Sequence, residues 1–162
     1  MRRIFAVVAA VATLAMLSNV VVASDRSVRT TGDDRVVINA MVQATLRFTP
    51  GMIKVASGES VTWTHDDFTT EPHTVTIVAN PPGAELDEIF ACAECAAALA
   101  AHSAGGFNPV VNVGGPGLDT PGDSLFLFDD QSVTATVSAP SGTTLKYLCA
   151  IHPWMQGTIV VE

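Results

Sequence analysis

The chain has 162 residues, a one-domain length, with 8 basic residues against 16 acidic ones and a formal net charge of −8. That balance argues against a nucleic-acid partner, which requires a basic face. It is compatible with a basic protein partner, or with acidity that simply keeps the protein soluble.

Met1-Arg2-Arg3 precedes an apolar run from Ile4 to Leu17 and then small and β-branched residues up to Ala23-Ser24. This reads as a secretory signal spanning residues 1–24, with cleavage near Ala23 or Ser24. The alternative, an uncleaved anchor helix, is short of the ~20 apolar residues that a bilayer needs. Export leaves 6 basic against 16 acidic residues and no membrane span. Residues 25–35, polar and charged, read as a flexible lead-in to a domain over 36–162.

From Val36 the signals are those of β-structure. Val36 to Val42 is expected as the first strand and Thr45 to Thr49 as the next piece. A Pro50-Gly51 turn and Met52 to Val55 follow. Ser60 to Thr64 alternates cleanly, and Thr74 to Val78 comes next. Ser124 to Phe128, Ser132 to Ser138, Thr143 to Cys149 and Thr158 to Val161 complete the set. Seven or eight short strands rich in Val, Ile, Thr and Phe, punctuated by Gly, Pro and Asp, indicate an all-β sandwich or barrel.

Residues 81–121 break that pattern. Ala84 to Phe90 and the alanine-rich Ala91 to Ala104 predict one helix over about 84–102, ended by Gly105-Gly106. Phe107 to Gly122, with four glycines and three prolines, reads as loop.

The last fourteen residues carry the densest chemistry. Cys149, His152 and Met155 stand at C-x2-H-x2-M spacing between a strand led by Tyr147-Leu148 and a final strand after Gly157. Two imidazoles, one thiolate and a weak axial thioether form the donor set of electron-transfer copper sites. The loop supplies all but one imidazole. The chain has four histidines in total, at 65, 73, 102 and 152.

Two distant blocks carry a family resemblance. Phe48-x-Pro50-x-x-Ile53-x-Val55-x-x-Gly58-x-x-Val61-x-Trp63 and Pro72-His73-Thr74-Val75 form the first; Tyr147-x-Cys149-x-x-His152-x-x-Met155-x-Gly157 is the second. Together they resemble the cupredoxins of the plastocyanin and amicyanin group, over about Phe48 to Val78 and Leu125 to Glu162. The 81–121 insertion lies outside the likeness. The resemblance implies a Greek-key β-sandwich that binds one copper ion per chain through His73, Cys149, His152 and Met155. It also implies that His152 reaches the surface in an apolar patch of Pro153, Trp154 and Ile151. Packing of Trp154 into the end of the sandwich is an equal alternative.

The chain departs from that family in two places. His65 follows Trp63 where relatives often carry an Asn that ties the ligand segments together, so His65 or Asp66 is expected to make the tie. His65 could also be a fifth ligand. Cys92-x-x-Cys95 is open to three readings: a disulfide within helical reach, a thioredoxin-like redox pair, or a second metal site with His102 and Glu88 or Asp87.

The function expected is an exported mononuclear type 1 copper protein shuttling single electrons between redox partners such as a cytochrome, a dehydrogenase or an oxidase. The setting is a periplasm or the cell exterior. The alternative is copper buffering or delivery without rapid electron exchange. Enzymatic activity is not expected, because the two histidines outside the ligand set are too few for further copper centres.

Overall fold

The computed structural model describes residues 26–162. The expected signal at 1–24 lies outside them. No helix among the described residues is long and apolar enough to cross a membrane.

Two sheets face one another. The first has four strands in the order β10-β6-β1-β4 and the second has six in the order β5-β12-β11-β7-β9-β8. Their bounds are β1 Arg26–Thr31, β4 Arg47–Thr49, β5 Met52–Val55, β6 Ser60–Thr64 and β7 His73–Val78. In the second half they are β8 Val110–Val111, β9 Ser124–Leu127, β10 Ser132–Thr136, β11 Thr144–Leu148 and β12 Gln156–Val161. Strand β7 pairs with β9, the chain crosses to β10 on the opposite sheet, and β11 returns to lie beside β7. That return is a Greek key. Val28, Phe48, Val61, Trp63, Val75, Ile77, Tyr147 and Ile159 meet between the sheets in one buried core.

Period-two alternation explains most of these strands. In β11, Leu145 and Tyr147 point inward while Thr144 and Lys146 are exposed. Tyr147 stands opposite Gly157 of β12. A Cβ at Gly157 would run into the Tyr147 ring, so only glycine lets that ring lie flat in the core.

Three expectations need correction. Residues 26–31 are not a flexible lead-in but β1, parallel to β6 and antiparallel to β4. Only Val28 and Thr30 turn inward, alternating with exposed Ser27 and Arg29, so the hydrophobic pattern is too thin to read as a strand. Val36 to Val42 is not one strand. Asn39 takes a positive φ of 63°, and the run folds back on itself as a separate hairpin of β2 Asp34–Val37 and β3 Met41–Ala44. The single helix is two, α1 Leu86–Phe90 and α2 Ala93–Ser103. Cys92 between them is extended and caps α2, its sulfur accepting the Cys95 N–H at 3.2 Å.

The insertion has a clear place. Cys95 and Ala98 of α2 pack on Val78, Leu148 and Ala150, forming a second small core on the outer face of the larger sheet. All six residues of β7 are consequently buried. Glu94 anchors the helix to the end of β7, accepting the N–H groups of Ala79 and Asn80 at 2.8 and 3.1 Å. The loop beyond is organised by the buried Asp123 carboxylate, which accepts N–H groups from Val113, Asp119 and Thr120.

Candidate metal centre

His73 is the first residue of β7, and Cys149 follows the last residue of β11. The loop from Cys149 to Met155 is closed by two backbone bonds. The Cys149 N–H donates to Met155 O at 3.0 Å and the Met155 N–H to His152 O at 2.8 Å. Cys149 and Met155 both belong to the main core cluster and are fully buried. Pro153, with its φ fixed by the ring, stiffens the middle of the loop.

Three donor atoms converge. Cys149 Sγ lies 3.8 Å from His73 Nδ1 and 3.6 Å from His152 Nδ1, and the two nitrogens are 3.2 Å apart. A triangle with those sides has a circumradius of about 2.1 Å. One ion at its centre would stand at ordinary distance from the nitrogens, ~2.0–2.1 Å, and slightly short of the ~2.3 Å usual for sulfur. The residues therefore fit a metal ion, and with Met155 beside them the donor set is that of a copper electron-transfer centre.

Both imidazoles have fixed tautomers. His73 Nε2 faces Asp67 Oδ2 at 2.8 Å and His152 Nε2 faces Glu71 Oε2 at 2.8 Å. A carboxylate can only accept, so each Nε2 carries hydrogen and each Nδ1 lone pair points at the shared centre. The Asp67 side chain is fully buried, its Oδ1 accepting the N–H and hydroxyl of Thr69 at 3.0 and 2.7 Å.

Burial sets the acid–base character of the ligands. It pushes the thiol of Cys149 above its ordinary value, against backbone hydrogen bonds that favour the thiolate. It pulls His73 and His152 below theirs, against the attraction of Asp67 and Glu71. Burial would also raise Asp67, but hydrogen bonds from Thr30 and Thr69 and the pull of His73 outweigh it and hold the carboxyl below its ordinary value.

The tie between the ligand segments is made by neither His65 nor Asp66. Asp66 pairs with Arg29 at the surface. Thr74, next to His73, makes the tie: its N–H donates to Cys149 Sγ at 3.3 Å and its Oγ1 accepts the Ala150 N–H at 2.7 Å. From Thr74 a buried line of hydroxyls runs outward. Thr74 Oγ1 meets Thr76 Oγ1 at 2.9 Å, Thr76 meets Ser124 Oγ at 2.7 Å, and Ser124 meets His102 Nε2 at 2.8 Å. His102 Nδ1 ends the line on the Asn108 carbonyl at 2.6 Å. That carbonyl accepts only, so Nδ1 donates, and in the neutral ring Nε2 accepts from Ser124. Every hydroxyl then donates in one direction, away from the metal loop.

The second metal site imagined for Cys92, Cys95 and His102 does not form. The two cysteines are joined in a disulfide with Cα atoms 5.3 Å apart, and His102 is fully engaged by Ser124 and Asn108. His65 is no fifth donor to the triangle: its Nε2 donates to Glu71 O at 3.0 Å. Although His65, Asp67 and His73 form a second tight group, His73 Nε2 is bonded to Asp67 and His65 Nε2 to the Glu71 carbonyl, so both nitrogens are already engaged. The apolar patch is partial. Trp154 is 39% exposed with its ring 5.2 Å from that of His152, while Pro153 is buried and His152 is only 6% exposed behind Glu71.

Asp67, Glu71, Thr74, Thr76, Ser124 and His102 were not singled out for these roles from sequence. The acidic residues between Asp66 and Glu71, just ahead of His73, are the visible clue to the first two.

A two-sheet β-sandwich with a buried His-Cys-His-Met constellation at one end defines the class: an all-β protein with a preformed metal centre. No family model matches the chain, and no curated protein does. Solved structures similar in shape include cupredoxins. Auracyanin A, a "blue" copper protein from Chloroflexus aurantiacus, is 19% identical, with 86% of this chain and 100% of that one covered and a TM-score of 0.49. The purple cupredoxin from Nitrosopumilus maritimus is 17% identical, covering 85% and 100%, with a TM-score of 0.45. Amicyanin from Paracoccus versutus is 15% identical, covering 86% and 83%, with a TM-score of 0.41.

Proposed function

We propose that this chain is an exported type 1 copper protein that carries single electrons between redox protein partners, such as a cytochrome, a dehydrogenase or an oxidase. His73, Cys149 and His152 would hold the ion, with the Met155 thioether as a weaker fourth donor. The observation that carries this reading is the triangle of two inward Nδ1 atoms and one Sγ, each held in place before any ion arrives.

Bound copper would supply a one-electron couple. The chain's part is to hold its donors still across both oxidation states. The thiolate suits Cu(I) and the imidazoles suit both states. Asp67 and Glu71 lock the rings, the Thr74 N–H fixes the sulfur, and the closed loop fixes Met155. Burial favours the neutral thiol of Cys149, and a metal would be held by the thiolate, so loading would release that proton. An electron-transfer role without enzymatic activity is supported by the remaining imidazoles, since His65 and His102 are both committed to internal hydrogen bonds.

The test is a visible and EPR spectrum of the copper-loaded domain, followed by voltammetry. Intense thiolate-to-copper absorption with reversible cycling at positive potential is expected. A colourless Cu(II) complex, or loading by Cu(I) alone, would favour buffering or delivery instead. Met155→Leu should keep the colour and shift the potential; an unchanged potential would remove Met155 from the site.

A further inference from the structure

Both ligand imidazoles are backed by carboxylates, and both carboxylates come from one loop. Asp67 and Glu71 lie four residues apart between β6 and β7, and each accepts the outward N–H of a different ring at 2.8 Å. Nothing else in the loop competes for those atoms. Asp67 spends its other oxygen on Thr69, and His65 takes the backbone carbonyl of Glu71 rather than its carboxylate. The Asp67 side chain is fully buried, whereas that of Glu71 is 50% exposed at the mouth of the site.

Resting on the copper reading, we propose that Asp67 and Glu71 are positioning residues that set the potential of the centre, together favouring Cu(II) over Cu(I). The reasoning is charge and basicity. A carboxylate behind an imidazole fixes its orientation and strengthens it as a donor. A stronger donor favours the more highly charged ion. With two carboxylates, one thiolate and Cu(II), the formal charge of the assembly is −1. Reduction makes it −2 in surroundings that exclude water, so reduction is disfavoured. Asp67, buried beside His73, should act more strongly than half-exposed Glu71, whose field is screened by solvent and salt.

Glu71 has a second consequence. Its carboxylate covers the outward nitrogen of His152, so the ligand ring that comes nearest the surface is shielded by a charged cap. A partner approaching that ring along its N–H meets Glu71 first.

The experiment is a set of midpoint potentials on copper-loaded full-length variants. Wild-type colour on Cu(II) addition comes first; its absence would defeat the copper reading and not this one. With colour present, Asp67→Asn should lower the preference for Cu(II) over Cu(I) at least tenfold, an upward shift of about 59 mV or more for a one-electron couple. Glu71→Gln should raise the potential by a smaller amount, and added salt should reduce the difference from wild type. Glu71→Asp, keeping the charge, should lie nearer wild type than Glu71→Gln. A loosened scaffold would not sort the variants by charge. Equal potentials for wild type and Glu71→Gln at low salt, or a fall in either neutral variant, would overturn the proposal. If Asp67→Asn fails to fold, the three Glu71 proteins decide it alone.

Discussion

The metal loop and the insertion contribute to the site in opposite ways. Residues 149–155 are few, form a closed turn and supply three of the four proposed ligands. Residues 81–121 are many, supply no ligand and reach the loop through packing and a line of hydroxyls. Leu148 and Ala150 sit under α2 while Cys149, between them, faces the core. One short strand end is thus held from both sides. The comparison separates carrying the chemistry from keeping it immobile, and those two tasks fall to residues some fifty positions apart.

The largest effect should come from breaking the loop itself. Cys149→Ser is expected to abolish the visible thiolate absorption completely while the metal-free protein keeps its β-sheet circular dichroism. Residual blue colour would show that Cys149 is not the thiolate donor.

Next comes the glycine beneath Tyr147. Gly157→Ala should destabilise the protein by about 1–3 kcal/mol, because a methyl group must displace a ring fully buried in the core. Chemical denaturation measures it, and a neutral result would mean that the ring can move aside. Ser124→Ala probes the insertion's route to the loop. It leaves the Thr76 hydroxyl proton without an acceptor and His102 Nε2 without a donor, at a cost of about 1–3 kcal/mol. If Ser124→Ala also alters the EPR spectrum of the copper form, the hydroxyl line reaches the metal as well as the fold. An unchanged spectrum confines it to stability.

Reduction of the Cys92–Cys95 disulfide should matter less, by no more than about 2 kcal/mol, since it closes a loop of only a few residues. A larger loss would mean that the N-cap at Cys92 needs the bond to form.

Acid and base should act on the loop's side of the comparison. His73 and His152 are held below their ordinary 6.5 in the folded protein, so their stabilisation is complete above that value and is lost as pH falls through the lowered ones. Cys149 is raised above its ordinary 9.0, so its contribution is complete below that value and is lost as pH climbs through the raised one. The metal-free protein should therefore be most stable between about pH 6.5 and 9, with Asp67 adding a further loss in stronger acid. A thermal melt series across pH checks this, and a stability maximum near pH 5 would contradict the burial of the two rings.

Much of this was legible along the chain. The C-x2-H-x2-M spacing and most of the strands follow from local chemistry and period-two alternation, whereas Cys92-x-x-Cys95 left three readings open until the structure joined the two sulfurs. Strand β1 was not legible, because a strand whose inward side chains are Val28 and Thr30 looks like polar linker until β6 and β4 flank it. The break at Cys92 was hidden in an alanine-rich run, since helix propensity says nothing of a residue held extended at an N-cap.

By itself the sequence determined which atoms can bind a metal and that three of them lie on one turn, because ligand identity and short spacing are local properties. Only the tertiary structure decided how those atoms are held. It brought Asp67 and Glu71 behind the rings, put Thr74 rather than His65 between the ligand segments and laid α2 over the loop's strand. Those contacts join residues distant in the chain. Buried polar groups must find partners wherever the fold brings them, and no spacing along the sequence records where that will be.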